Sequence, residues 1–213
     1  MKLLRKYAEK KIIGLNHDNP DEIKWAKEQS GYILPLAAGI QVGEGYREAF
    51  VHGLSHKADR AIIEYLRGKD VEIVPLVREE LKVENRAIVF AKGALKHNGV
   101  DQLKEDCAYS SYKYEKHMRN KAFFDPAEMF QDKYFFTRAE KAIELIESGV
   151  TLDDLEKKLA ESDEKIVECM SGKIHAIKPS LVIVHDSFAP KLAEECHGYR
   201  LIRSPFVKER KGE

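Results

Sequence analysis

Long apolar runs are missing from this chain: nowhere in its 213 residues do about 18 apolar residues follow one another, the length a membrane-spanning helix needs. The opening Met1-Lys2-Leu3-Leu4-Arg5-Lys6 also lacks the apolar stretch of a secretory leader, so a cytoplasmic protein with no membrane partner is predicted. Cysteine is scarce. Cys107, Cys169 and Cys196 are odd in number and nowhere spaced as Cys-x-x-Cys, which excludes a disulfide framework and a structural zinc knuckle and leaves buried thiols as the expectation. Net charge is absent as well. The 36 basic and 36 acidic residues cancel, so bulk attraction to a phosphate backbone has no source and a nucleic acid would need a local basic patch.

Charge of both signs is plentiful at 34%, with the Lys and Glu enrichment common in thermophilic sources. With 43% apolar residues the chain can bury a substantial core as one domain, or as one domain carrying an insertion.

One layout occurs twice. Near the C-terminus an apolar run from Leu181 ends in His185-Asp186, and a helical stretch, Gly198-Tyr199 and a second apolar run follow. Near the N-terminus an apolar run to Leu15 ends in His17-Asp18, and an acid-rich helix, Gly31-Tyr32 and another apolar run follow. Pro20, Asp21 and Glu22 suit the first turn of that helix, and Gly31 its end. If the runs are parallel strands, both His-Asp pairs fall beyond carboxyl ends, where open α/β sheets bind ligands. An imidazole beside a carboxylate serves as a metal ligand or as an oriented general base. Asp18 and Asp186 are also good helix N-caps, the structural alternative for both pairs.

Between the two copies, apolar and β-branched runs at 32–38, 71–77 and 87–91 read as further strands, making about six with 11–15, 181–184 and 199–203. The expected fold is a three-layer α/β domain with a mainly parallel sheet, residues 1–99 and 178–207, interrupted by an α-helical insertion at 100–177. Gly39 to Gly45 lies between a run and a helix, where Gly43 and Gly45 would let backbone N–H groups reach a phosphate and Arg47 would fork onto it. The Gly-Lys-Ser/Thr ending of a P-loop is missing there. Lys92 and Arg203, at the ends of two runs, are further substrate-binding candidates. His52 and His56 have the i, i+4 spacing of a zinc pair, but Gly53 stands where the His-Glu-x-x-His signature has its acid, and both face away from the helix's apolar stripe.

The insertion carries two apolar stripes at helical spacing, Val100, Leu103, Cys107, Tyr114, Met118 and Leu152, Leu155, Leu159, Ile166, Met170, with Thr151 to Asp154 as a capping-box variant. Segment 109–138 mixes aromatics and bases. Tyr109, Tyr112, Lys113, Lys116, Arg119 and Lys121 are the residue types that stack on single-stranded bases and contact phosphates, though Asp125, Glu128 and Asp132 dilute the charge. A contact between copies of the chain competes for the same segment.

These observations point to a hydrolase or transferase acting on a phosphorylated or nucleotide-like small molecule. His17, Asp18, His185 and Asp186 would supply the base or hold a divalent metal, with the insertion over the site. The alternative is a non-catalytic RNA- or DNA-binding protein using segment 109–138.

Overall fold

The computed structural model describes residues 10–15, 20–31, 76–119, 126–179 and 181–206. In chain order these form β1 (Lys11–Leu15), α1 (Pro20–Gly31), α2 (Glu79–Lys96), α3 (Val100–Arg119), α4 (Pro126–Glu147), α5 (Leu152–Ile177), β2 (Leu181–His185), α6 (Ala189–Glu195) and β3 (Arg200–Arg203). Among the described residues helix predominates and the strands form one three-stranded sheet, so the expected three-layer domain with about six strands is overturned. Two compact units divide the chain, residues 1–76 with 170–213 and residues 77–169.

The first unit holds the sheet. Its strands lie in the order β2-β1-β3, all parallel, with Leu15 opposite His185 and Gly14 opposite Arg203. Central β1 is covered on both faces: Ile12 and Ile13, which point to opposite sides of the pleat, are both fully buried. In β2 only Val182 and Val184 are buried, as befits an edge. The chain returns from β2 to β3 through α6, which crosses central β1 and buries Ala189 and Leu192. Gly198, at φ +90°, turns the chain into β3 in a conformation few other residues adopt without strain.

Tyr199, in this turn, donates its hydroxyl to the Pro179 carbonyl at 2.6 Å. Burial, and secondarily the nearby Cys196, raise the phenol from 10.0 to about 12. A folded-state pKa above the unfolded one means that this contribution is complete below pH 10 and lost as the pH rises towards 12. Denaturant melts should therefore show wild type losing its advantage over Tyr199→Phe across that window, an advantage of about 1 kcal/mol at neutral pH from one hydrogen bond.

The second unit is helical. Residues 87–91, expected as a strand, lie inside α2, and burial shows why: Val83, Ala87, Ile88 and Ala91 are buried at helical spacing while Val89 and Phe90 are half-exposed. The five apolar residues are the widest part of a helical stripe, flanked by the helix formers Glu79-Glu80-Leu81-Lys82 and Ala94-Leu95-Lys96. Of the other expected strands, 32–38 and 71–75 lie outside the described residues, and Leu76 and Val77 are not in a strand.

Three alanines, Ala87, Ala91 and Ala142, let α2 and α4 approach closely, and with Ile88 and Leu155 they form the centre of this unit's core. Aromatics fill its margins, with Phe90 against Phe135 at 5.5 Å and Tyr114 against Phe136 at 5.4 Å between centroids. Asn85 donates to Ser162 at 3.1 Å and to Asp163 at 2.8 Å, tying α2 to α5. At the start of α5, Thr151 Oγ1 donates to Asp154 Oδ2 at 2.6 Å and accepts from the Asp154 N–H at 3.2 Å, a reciprocal cap that holds the Asp154 carboxyl below its usual range. Two expected core residues differ. Met118 is exposed because His117 takes the buried position one residue earlier, and Leu152, in the first turn of α5, is exposed too.

Candidate active site at the carboxyl edge of the sheet

Because the three strands are parallel, their carboxyl ends share one edge, the edge at which such sheets bind ligands. β2 ends in His185-Asp186-Ser187 and β3 in Arg203-Ser204, and Gly14 of β1 lies between them.

Asp186 and Arg203 meet across the central strand. Arg203 Nε donates to Asp186 Oδ1 at 3.0 Å and Nη2 donates to Oδ2 at 2.6 Å, a two-bond fork that fixes both planes. The carboxylate is 13% exposed and the guanidinium 44%. Gly14 makes this bridge fit. A Cβ on it would stand 2.7 Å from Asp186 Oδ1 and 2.7 Å from the Ala189 Cβ, so any side chain there collides with both the bridge and the start of α6. Buried Ser204 anchors the same corner, its N–H donating to the Gly14 carbonyl at 3.3 Å and its Oγ accepting from the Phe206 N–H at 3.2 Å.

His185 is exposed at the end of β2, with the Phe188 ring edge-on at 6.4 Å. Its Nδ1 lies 2.8 Å from Ser187 Oγ and accepts from the Ser187 backbone N–H at 3.3 Å. That backbone donor has no second role to play, so Nδ1 is the acceptor and the proton of the neutral ring sits on Nε2. The ring's orienting partner at Nδ1 is therefore Ser187, and the Asp186 carboxylate orients a guanidinium instead.

The other sequence candidates fall in several places. His17, Asp18, Gly43, Gly45, Arg47, His52, His56 and Lys121 lie outside the described residues. Lys92 is within α2, without a strand to carry it to a sheet edge, and pairs with Glu156 of α5 at 2.9 Å. Among the described residues no group of three or more His, Cys, Asp and Glu could hold a metal ion. The aromatic-basic segment separates into two roles: Tyr114, Phe135 and Phe136 pack inside the second unit, whereas Tyr109, Tyr112, Lys116 and Arg119 are exposed on α3 and Lys113 lies half-buried over the Tyr109 ring.

Gly14, Ser187 and Ser204 complete the edge and were not among the candidates. A glycine inside a short apolar strand is itself a sign of close approach, and was the available signal for Gly14.

A second Ser-His-Cys grouping, at the end of α5, is structural. His175 Nδ1 is bonded to the Ser171 carbonyl one turn back at 2.9 Å, so it donates there and is not oriented as a base for Ser171. Buried Cys196 lies 3.9 Å from Ser171 Oγ, and burial pushes its thiol up, away from the reactive thiolate. Burial likewise pushes the Cys107 thiol up, and none of the three cysteines is in a disulfide. Among the described residues no helix is long and apolar enough to cross a membrane. Compared with known proteins, the chain matches no family model, no curated protein and no solved structure.

Proposed function

We propose that the carboxyl edge of the sheet is the active site of a hydrolase or transferase that acts on a phosphorylated small molecule, with His185 and His17 as an acid and base pair. The observation that carries this reading is the pairing of β1 directly beside β2, in parallel, with Leu15 opposite His185. His17 follows Leu15, the register partner of His185, by two residues in the sequence.

The hydrogen bonding of His185 supports its role. In the neutral ring Nδ1 accepts from the Ser187 N–H and Nε2 presents an N–H to a phosphoryl oxygen. A second proton, on Nδ1 and accepted in a hydrogen bond by Ser187 Oγ at 2.8 Å, makes the imidazolium that can pass its Nε2 proton to a leaving group. His17 takes the proton of the attacking water or hydroxyl as the new P–O bond forms, and the His185 imidazolium gives its Nε2 proton to the departing oxygen as the old P–O bond breaks, returning to the neutral ring. Gly43, Gly45 and Arg47 are the sequence's candidates for holding the phosphate. Asp186 and Arg203 act through position: their bridge holds the ends of β2 and β3 together over β1.

A divalent metal on Nε2 would likewise need the proton on Nδ1, so chelator is what separates the acid–base reading from a metal site. Phosphate release from p-nitrophenyl phosphate and from nucleoside mono- and diphosphates tests the reading, with chelator or with added magnesium, manganese or zinc. Turnover that survives chelator is expected. Turnover only with metal would move His17 and His185 into a metal site, and no release from any phosphoester would remove the reading.

A further inference from the structure

The solvent face of α3 carries an ordered charge pattern. Asp101 and Glu105 stand at its start, Tyr109 and Tyr112 at its middle, and Lys116 and Arg119 at its end, all six exposed, the tyrosines at 61% and 63%. At about 3.6 residues per turn Asp101 and Arg119 are about five whole turns apart and lie on one line along the helix. Glu105 and Lys116 lie about 20° apart on the same face, about 40° and 60° to one side of that line. The opposite face of α3 holds buried Cys107 and His117.

We propose that this face pairs with the same face of a second copy of the chain, the two α3 helices antiparallel about a two-fold axis near residue 110. In that arrangement Asp101 of each copy meets Arg119 of the other, and Glu105 meets Lys116, each pair matched along the axis to within about 1 Å. The tyrosines stack at the centre. Such self-complementarity is what a two-fold interface demands, since each contact must occur twice. Among the described residues Arg119 pairs with exposed Glu115 at 3.4 Å, a weak tie that leaves little to overcome.

Charge also decides between partners. A nucleic acid would meet Asp101 and Glu105 on the same face as Lys116 and Arg119, and like charges repel there. One helix pair buries less than the roughly 1,200–2,000 Å² of a standard stable interface, so a weak dimer is expected, with dissociation on the order of 10 µM.

Sedimentation velocity of the full chain from about 1 to 200 µM tests the pairing, spanning that expected constant. Wild type should pass from monomer to dimer, and raising salt from about 50 to 500 mM should weaken the dimer about tenfold by screening. Asp101→Lys/Glu105→Lys and Lys116→Glu/Arg119→Glu should each stay monomeric alone. Mixed in equal amounts, the two variants should form a heterodimer, which a folding defect would not allow. Wild type that stays monomeric throughout would overturn the proposal, and its binding of a fluorescein-labelled oligothymidylate would assign the face to single strands. A dimer that persists in either charge-reversed variant would overturn it too.

Discussion

His185→Asn should lower kcat for phosphoester hydrolysis by about 10²- to 10⁴-fold, the usual worth of a positioned proton donor. Asparagine suits the test because its side-chain oxygen can accept from the Ser187 N–H as Nδ1 does, while nothing replaces the Nε2 proton. Local structure is thus retained and chemistry lost. The melting temperature should stay within about 2 °C, since an exposed substitution that keeps its hydrogen bond is nearly neutral. His17→Ala should lower kcat by a similar factor, and the double variant by much less than the product of the two losses, because residues that act as a unit are not additive. Losses that multiply would mean that the two histidines work independently.

Gly14→Ala is expected to destabilise the first unit by about 1–3 kcal/mol, the range for overpacking a well-filled site. The new Cβ would overlap the Ala189 Cβ, which has no rotamer to escape into, and Asp186 Oδ1, whose retreat breaks the fork with Arg203. A destabilisation and a loss of activity should therefore appear together. Adding Ala189→Gly removes one of the two collisions and should restore part of the stability, a coupling that distant residues do not show. Denaturant midpoints of the four proteins measure it, and a double variant no more stable than Gly14→Ala alone would place the strain elsewhere.

Strand ends were legible in the sequence where an apolar run closed on polar residues. β1, β2 and β3 follow from such runs at Ile12, Leu181 and Leu201, and α1 from Pro20 and its acidic first turn. Residues 87–91 misled for a reason of length. Five apolar residues fit a buried strand or the broad part of a helical stripe equally well, and only the burial of Val83, four residues before Ala87, separates the two. The error in fold class follows from counting such runs as strands.

At the site, the position of His185 and Asp186 beyond a parallel strand was legible, but their partners were not. Asp186 reaches Arg203 because β1 separates β2 from β3 and carries a glycine where the two side chains cross, and strand order is not written in local pattern. The tie of His185 to Ser187 depends on a turn whose geometry the neighbouring Asp186 obscured.

The separation of the His17 and His185 imidazoles tests the central claim most directly, measured in a crystal structure grown with a non-hydrolysable phosphate ester. An acid and base pair flanking one phosphorus should place a nitrogen of each ring within hydrogen-bond reach of the ester, about 2.6–3.2 Å from the oxygens it serves. Imidazoles more than about 10 Å apart, too far to serve a single phosphoryl group at those distances, would contradict it.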